Sequence, residues 1–366
     1  MSSTIAHLLT SFALGGGEQL AMLMCARQVA MGHRVLAIAI DRQGEEYLAP
    51  DFERAGALVR RVLKRPTGFD LRLPPRLLAL FAAERVDVLH THNALPQVYG
   101  TLPARLMGAS VVHTEHGRHV VSPSLTKVRR ASAQLARAFV AVSEPTRDHV
   151  RAIGIAPEAK LRVVLNGTEV ERYARNESWR AEKRQAWGAG PATTVIGTAG
   201  RMEEVKNHAL LLRALAPLLA QEDVLLVMAG DGDLRPATEA LAGALGVAER
   251  VRFLGRVRDI PKVLSGLDVF AMSSHSEGLP MVLAEAMGAS LPLVSTAVGG
   301  IPEVIDEGET GYLVPAGDEE ALRDRLRTLA RDPELRRRLG ERGVVVAAER
   351  YSIGRMVDEY MALYGL

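Results

Sequence analysis

The sequence predicts an α/β protein made of two Rossmann-like, doubly wound domains, and three observations predict it. Short apolar runs alternate with helical stretches along nearly the whole chain. That alternation starts afresh after a polar interval that begins near residue 171. Glycine- or proline-bearing loops follow several of the runs. In order, residues 5–9 read as a strand, Gly15-Gly16-Gly17 as a tight loop, and 18–31 as a helix stopped by Gly32 before a strand over 34–40. Further strands are expected over 86–90, 110–114, 138–142 and 162–165, and Asn166-Gly167 closes the first set. Residues 171–191 read as a polar linker around one helix, and a second set of strands follows over 194–198, 224–229, 251–254, 269–272 and 292–295. The expected domains are residues 1–170 and 171–350. The last stretch, 351–366, is expected to form an amphipathic helix with Met356, Tyr360 and Leu363 on one side, packing back on the first domain.

Composition suits this reading. The chain has 366 residues, 48% hydrophobic and 24% charged, enough for two cores. Cys25 is the single cysteine, which excludes an internal disulfide framework and a Cys-rich metal site and suits a reducing, cytosolic setting. No apolar run reaches the ~18 residues of a membrane span, and the N-terminus lacks the basic start of a signal peptide. Charge is uneven: residues 1–170 carry 21 Lys+Arg against 14 Asp+Glu, and the remainder 24 against 29.

Chemistry concentrates in residues 273–303, SSHSEGLPMVLAEAMGASLPLVSTAVGGIPE. A polar loop follows an apolar strand, and Pro280 stands where a first helical position belongs, so a helix is expected over 280–289. Its first turn offers the N–H groups of Leu279, Met281 and Val282 and the positive end of the helix dipole, a natural seat for a diphosphate. Gly278 allows close approach to the backbone. Glu285 lies about a turn and a half into the helix, in reach of a ribose diol, and Glu277 stays in the loop beside the ligand's other end. Carboxylates repel phosphate but accept hydrogen bonds from sugar hydroxyls, so two of them around an anion-binding turn imply a nucleotide-sugar. An ordinary capped surface helix is the alternative. Gly299-Gly300 opens a second loop-to-helix turn, and open α/β sheets bind ligands at that edge.

Other candidates follow strand ends. In GTAGRMEEVKNH, Arg201 and Lys206 place two cations where a diphosphate would lie, unless they are simply a solvated pair. Gly16 and Gly17, in the first loop, permit a close backbone approach. His116, in HTEHGRH, is a candidate for contacting the transferred sugar, and His90 and His92 end the preceding strand. The histidine spacings form no closed metal set, so no metal is expected. Asp231-Gly232-Asp233 invites comparison with a metal-binding D-x-D, but its place between a strand and a helix favours a structural turn.

Together these motifs resemble the retaining glycosyltransferases of the GT-B fold, family 4. LGGGEQLA is similar to that family's first loop, VDVLHTH to a first-domain strand motif, VVLNGTE to its interdomain motif and AGRMEEVKN to its phosphate motif. FLGRVRD is similar to its base-binding loop and SEGLPMVLAEAM to its E-x7-E signature, and the similarity runs from Ile5 to the C-terminus. The resemblance implies a cleft between the domains and transfer from a UDP- or GDP-sugar. It assigns Arg201 and Lys206 to the diphosphate and Glu285 to the ribose. Glu277 and the backbone of Gly278, Leu279, Pro280, Met281 and Val282 fall to sugar and phosphate, the backbone near Arg256 and Val257 to the base, and His116, with Gly16 and Gly17, to the sugar. His116 and Glu277 are thus the catalytic candidates. It implies no metal cofactor, because cations and a helix N-terminus stabilise the departing diphosphate. Glu169 stands where the interdomain motif usually has Asp, and the triple glycine is looser than the common form. Closure over the donor is expected in such a fold, so catalysis is expected to be sensitive to changes near Tyr351 and around Glu171.

The resemblance places the acceptor on the first domain. Basic residues gather there at Arg60, Arg61, Lys64, Arg65, Arg72 and Arg76, and again at Lys127, Arg129, Arg130 and Arg137, with apolar residues between them. Peripheral contact with anionic lipid at the inner face of the cell membrane and a glycan, glycolipid or other cell-envelope acceptor are therefore expected, against the alternative of solvated helix faces. Nucleic acid is not expected, since aromatics are 4% and do not interleave with the cations. A nucleotide-sugar epimerase and a non-catalytic nucleotide-sugar-binding subunit are the rival functions.

Overall fold

A computed structural model describes residues 2–41, 46–65, 68–117 and 122–366. The chain forms two compact units, residues 1–168 with 353–366, and residues 169–352.

In the first unit the strands are β1 (Thr4–Leu9), β2 (Arg34–Ala39), β3 (Leu58–Arg61), β4 (Val88–His92), β5 (Ser110–Glu115), β6 (Ala138–Ala141) and β7 (Leu161–Val163). They form one parallel sheet in the order β3-β2-β1-β4-β5-β6-β7. The strand expected at 86–90 is displaced toward the C-terminus, because Asp87 is used in the lead-in. Its carboxylate accepts from the Thr4 N–H at 2.8 Å and its own N–H donates to the Thr4 carbonyl at 3.0 Å. The edge strand β3 lies outside the sequence reading. Cores form on both faces, one around Leu36, Ile38, Leu77, Phe81 and Tyr99, the other around Phe12, Cys25, Ala37 and Phe52.

In the second unit β8 (Thr194–Ala199), β9 (Val224–Ala229), β10 (Val251–Gly255), β11 (Val269–Met272), β12 (Leu293–Thr296) and β13 (Gly311–Val314) form a parallel sheet in the order β10-β9-β8-β11-β12-β13. Its main core gathers Leu211, Leu215, Leu226, Met228, Val269 and Leu326. The helix Glu177–Trp187 belongs to this unit, tied in by Arg180 and Arg184, which donate to the Asp268 carboxylate at 2.5 and 2.8 Å.

The strand order reverses between β1 and β4, and between β8 and β11. Chain leaving the carboxyl ends of such strands diverges and opens a crevice. The loops that carry Gly16, Gly17, His116, Arg201, Lys206 and Glu277 leave from these strands or their neighbours, and Arg256 and Val257 follow the edge strand β10. The last helix, Ile353–Tyr364, packs on the helix Gly16–Ala30 and on β5. Its buried stripe is Met356, Val357, Tyr360, Met361 and Tyr364, and the expected Leu363 is only partly covered. Among the described residues no helix is long and apolar enough to cross a membrane.

Candidate functional site

The second unit assembles most of the candidates. Three of its loops interlock through glycines. Gly230 (φ +142°) presents its Cα to the loop after β8 so closely that a Cβ would stand 1.8 Å from the Gly200 carbonyl oxygen, and its N–H donates to the Gly255 carbonyl at 2.8 Å. The Asp231-Gly232-Asp233 triplet continues this turn. Asp231 accepts its neighbour's Gly232 N–H at 3.0 Å on the side chain and the Met202 N–H at 2.9 Å on the carbonyl. Arg256 and Val257 follow directly on Gly255, Arg256 exposed and Val257 partly so.

After β11 the loop reaches Glu277, where Lys206 Nζ donates to Oε1 at 2.6 Å and Ser274 Oγ donates to the same oxygen at 2.7 Å. The sequence reading gave Lys206 and Glu277 to different ends of a ligand, and the fold joins them directly. Side-chain exposure is 24% for Lys206 and 9% for Glu277, so the cation reaches solvent while the carboxylate is held from behind. Ser274 lies outside the sequence reading, although S-x-x-E ahead of a helix is the signature of a capping pair. The loop is pinned from the other side by Gly299 (φ +56°), whose Cβ would fall 1.8 Å from the Glu277 carbonyl oxygen, and by Gly300, whose N–H donates to the Gly278 carbonyl at 2.8 Å. Arg201 stands apart from this cluster. Its side chain is 66% exposed and pairs with Glu203 at 3.0 Å.

The helix starts at Met281, one residue later than expected, because Pro280 keeps an extended ψ of 114° and acts as the N-cap residue. The first-turn N–H groups of Met281 and Val282 therefore have no carbonyl one helical turn before them. Glu285 is half-buried on this helix. Burial pushes its carboxyl up to about 7, and the hydrogen bond donated by the Tyr173 hydroxyl and the charge of Arg172 only partly oppose this. Beside Lys206, buried His208 is held down at about 4 by burial and by the lysine's charge, so it is neutral at physiological pH. It lines a small pocket with Thr198, Lys206, Ser273 and Ser274.

The first unit places the remaining candidates. The helix Gly16–Ala30 begins two residues before the sequence reading put it, so Gly16 and Gly17 sit in its first turn, with Gly15 as the extended N-cap residue. Nothing lies within 4 Å of a Cβ built on Gly16, whereas one on Gly17 would meet the His116 ring at 3.3 Å. His116 follows β5, and its backbone N–H donates to Asn93 Oδ1 at 3.1 Å. His119 lies outside the described residues.

In-register pairing of His7 with His90, and of His92 with Thr114, puts all four side chains on one face of the sheet. That face is covered by the helices Gly16–Ala30 and Ile353–Tyr364. The ring nitrogens of His7, His90 and His92 lie within 4.8 Å of one another, a closed set that sequence spacing alone did not offer because His7 is on another strand. Hydrogen bonds engage them: His7 Nδ1 with His92 Nε2 at 3.0 Å, His7 Nε2 with Gln28 Oε1 at 2.8 Å, and His90 with the Tyr364 hydroxyl and with Thr114 Oγ1, both at 2.7 Å. On the opposite face buried Arg129 is paired with Glu115 and donates from Nε to Gln97 at 2.9 Å.

Arg129 is thus a core residue and is removed from the basic surface the sequence suggested. Much of that surface is internally paired, Arg60 with Glu84 at 2.8 Å, Arg61 with Glu46 at 2.7 Å and Lys64 with Asp41 at 3.2 Å. Arg130 donates to the carbonyls of Gly154 and Ile153 at 2.8 and 2.7 Å.

Known proteins match this chain along most of its length. Residues 180–344 match the family model of glycosyl transferases group 1, and residues 14–172 that of glycosyltransferase family 4. A D-inositol 3-phosphate glycosyltransferase of Saccharomonospora viridis is 31% identical over 310 residues, covering 76% of this chain and 69% of the relative. An N-acetyl-alpha-D-glucosaminyl L-malate synthase of Bacillus anthracis is 28% identical, covering 81% of this chain and 79% of the relative. Among solved structures, the Anabaena protein HepE in complex with UDP and glucose superposes with a TM-score of 0.85 at 22% identity, covering 98% of both chains.

Proposed function

Since the chain belongs to glycosyltransferase family 4, of the GT-B fold, we propose that this glycosyltransferase moves a sugar, with retention at the anomeric carbon, from a nucleoside-diphosphate sugar to an acceptor hydroxyl. The observation that carries the reading is the Lys206–Glu277–Ser274 cluster beside the N-terminus of the helix Met281–Gly288, with Glu285 farther along that helix. A lysine and first-turn N–H groups suit a diphosphate, and the two carboxylates suit hydroxyls at its two ends. The acceptor oxygen bonds to the anomeric carbon, the bond from that carbon to the diphosphate oxygen breaks, and the hydroxyl proton is released as the nucleoside diphosphate departs. Charge develops on the leaving diphosphate, where Lys206, Arg201 and the helix N-terminus stabilise it, so no metal ion belongs to this reading. The contact of His116, Gly16 and Gly17 with the sugar, and of the loop at Arg256 and Val257 with the base, are further parts of it. A uridine donor draws support from HepE, solved with UDP.

A glycan or lipid-linked acceptor remains the first reading. The second is a small anionic acceptor, favoured by the curated relatives whose names carry L-malate and inositol 3-phosphate and by the net positive charge of residues 1–170. The test is a screen of UDP-, GDP- and ADP-sugars against both acceptor classes, with and without EDTA, read by mass spectrometry. Transfer in EDTA that collapses in Lys206→Ala and Glu277→Ala supports the proposal. Full transfer by both variants overturns it. Rearrangement of the donor without any acceptor identifies an epimerase, and binding without turnover a non-catalytic subunit.

A further inference from the structure

Where the strand order of the second sheet reverses, a pocket of about 170 Å³ lies at the carboxyl ends of β8 and β11. Thr198 and Ala199 line it from β8, and Met272, Ser273 and Ser274 from the end of β11 and the loop after it. Lys206 and His208 line it from the chain entering the helix His208–Gln221. Two of these polar side chains are buried and bond to nothing in the protein. His208 is 7% exposed and Thr198 4%, and among the described residues neither the imidazole nor the hydroxyl has a hydrogen-bond partner. A buried polar group without a partner is costly, so such a pair marks a place where an atom of a ligand belongs. The helix start points the same way. Asn207 at the N-cap makes no side-chain bond to it, and the N–H groups of His208 and Ala209 reach no acceptor among the described residues. Side chains and unpaired N–H groups both lean toward a helix's N-terminus, so the imidazole and these amides face one region. Lys206 adds a full positive charge, and no carboxylate lines the pocket, since Glu277 is turned to Lys206 and Ser274. Donors with a positive bias select an anion. The volume is below the ~300–1,000 Å³ of a whole ligand site, so one group of a ligand enters and not the whole of it.

We propose that His208 and Thr198 contact the donor, seating one phosphate group of the nucleoside-diphosphate sugar beside Lys206 at the start of the helix His208–Gln221. The inference rests on the nucleotide-sugar reading and adds two uncharged side chains to the cations that hold the diphosphate. Burial and the charge of Lys206 hold His208 at about 4, so at physiological pH the imidazole is neutral and donates from one ring nitrogen. The crevice thereby gains a donor without a second full charge next to the lysine. The Thr198 hydroxyl donates its one hydrogen in the same way. Both bonds go to an ionised oxygen, which makes them the stronger kind.

Long-range proton–nitrogen NMR of protein labelled in its histidine rings follows His208 directly, with its signals assigned through His208→Gln. Sodium sulfate, a tetrahedral oxyanion, and UDP are titrated separately, with sodium chloride at matched ionic strength as the control. Saturable movement of the His208 ring signals by sulfate and by UDP, and not by chloride, is expected. In His208→Phe, which fills the space without a donor, UDP affinity should fall about tenfold or more, and in Thr198→Val about threefold or more, while His208→Gln keeps most of it. Uridine has no phosphate and should bind every variant as it binds the unsubstituted protein, a comparison that a merely structural loss fails. His208 ring signals unmoved by bound UDP, or equal losses for UDP and uridine, overturn the inference and leave the donor reading standing. If UDP, GDP and ADP all fail to bind the unsubstituted protein, the donor reading falls instead. Sulfate that moves the His208 ring then supports an oxyanion seat, and sulfate that leaves it unmoved overturns that as well.

Discussion

Replacing Glu285 by Gln is expected to move stability and nucleotide affinity in opposite directions, with pH controlling both. Burial raises the carboxyl of Glu285 from an ordinary 4.5 to about 7. Each pH unit of such a difference corresponds to about 1.4 kcal/mol, so the ionised carboxylate costs the second unit about 3 kcal/mol. Because the folded value lies above the unfolded one, the stabilising contribution of the bound proton is complete below about 4.5 and is lost as pH rises through 7. Glutamine keeps an acceptor for the Tyr173 hydroxyl and has no charge to desolvate. Glu285→Gln should therefore be more stable than the unsubstituted protein at pH ~8, by up to about 3 kcal/mol, with the difference fading toward pH ~4.5. The assay is urea unfolding followed by tryptophan fluorescence. Both tryptophans, Trp179 and Trp187, lie on one helix of the second unit, so the signal reports that unit. In the proposed reading ribose hydroxyls donate to the ionised form, so the affinity advantage of the unsubstituted protein for UDP should fall as pH drops below 7, about thirtyfold by pH ~5.5. Taking the ratio to the variant cancels the titration of UDP itself. A variant no more stable at pH ~8, or a ratio flat between pH ~5.5 and ~8, refutes the reasoning.

Lys206→Ala removes the cation that holds Glu277, whose carboxylate keeps Ser274 Oγ at 2.7 Å. A loss of about 10²-fold or more in kcat/KM for the donor is expected, measured by nucleoside-diphosphate release. Gly299→Ala drives a Cβ toward the Glu277 carbonyl oxygen, 1.8 Å away, from a backbone with φ +56°. Loss of more than about 2 kcal/mol in urea unfolding, together with weakened UDP binding, should follow. Gly17→Ala gains helix propensity in the first turn but presses a methyl group to 3.3 Å from the His116 ring. Unchanged or slightly raised thermal stability with lowered kcat is the expected combination, whereas Gly16→Ala, with nothing within 4 Å, tests the turn without that contact. Arg129→Met leaves Glu115 buried beside His113 without its cation, and a cost of about 3–5 kcal/mol is expected in denaturant unfolding of the first unit.

The contrast between these residues also shows what a sequence carries. Alternation and loop chemistry were enough for two parallel sheets, because each buried parallel strand is a short apolar run closed by a turn. The two strands that escaped are edges: β3 mixes Arg60 and Arg61 into four residues, and β13 starts at Gly311, beside the Leu293 carbonyl. Arg129 was misread for a related reason. A cation between two others looks like a solvated face until a partner fourteen residues earlier, Glu115, is folded against it.

Local geometry made Glu277, Glu285 and Lys206 conspicuous, since helix starts and strand ends are written in consecutive residues. What orients them was less visible. Ser274 sits three residues from Glu277 and had a readable signature, but Tyr173 reaches Glu285 from a different element. The buried histidine cluster lies furthest from local signals. His7 and His92 are 85 residues apart, and His90 and Tyr364 are 274 apart. They meet because β1 and β4 are neighbours at the point where the strand order reverses and because the last helix lies over that face.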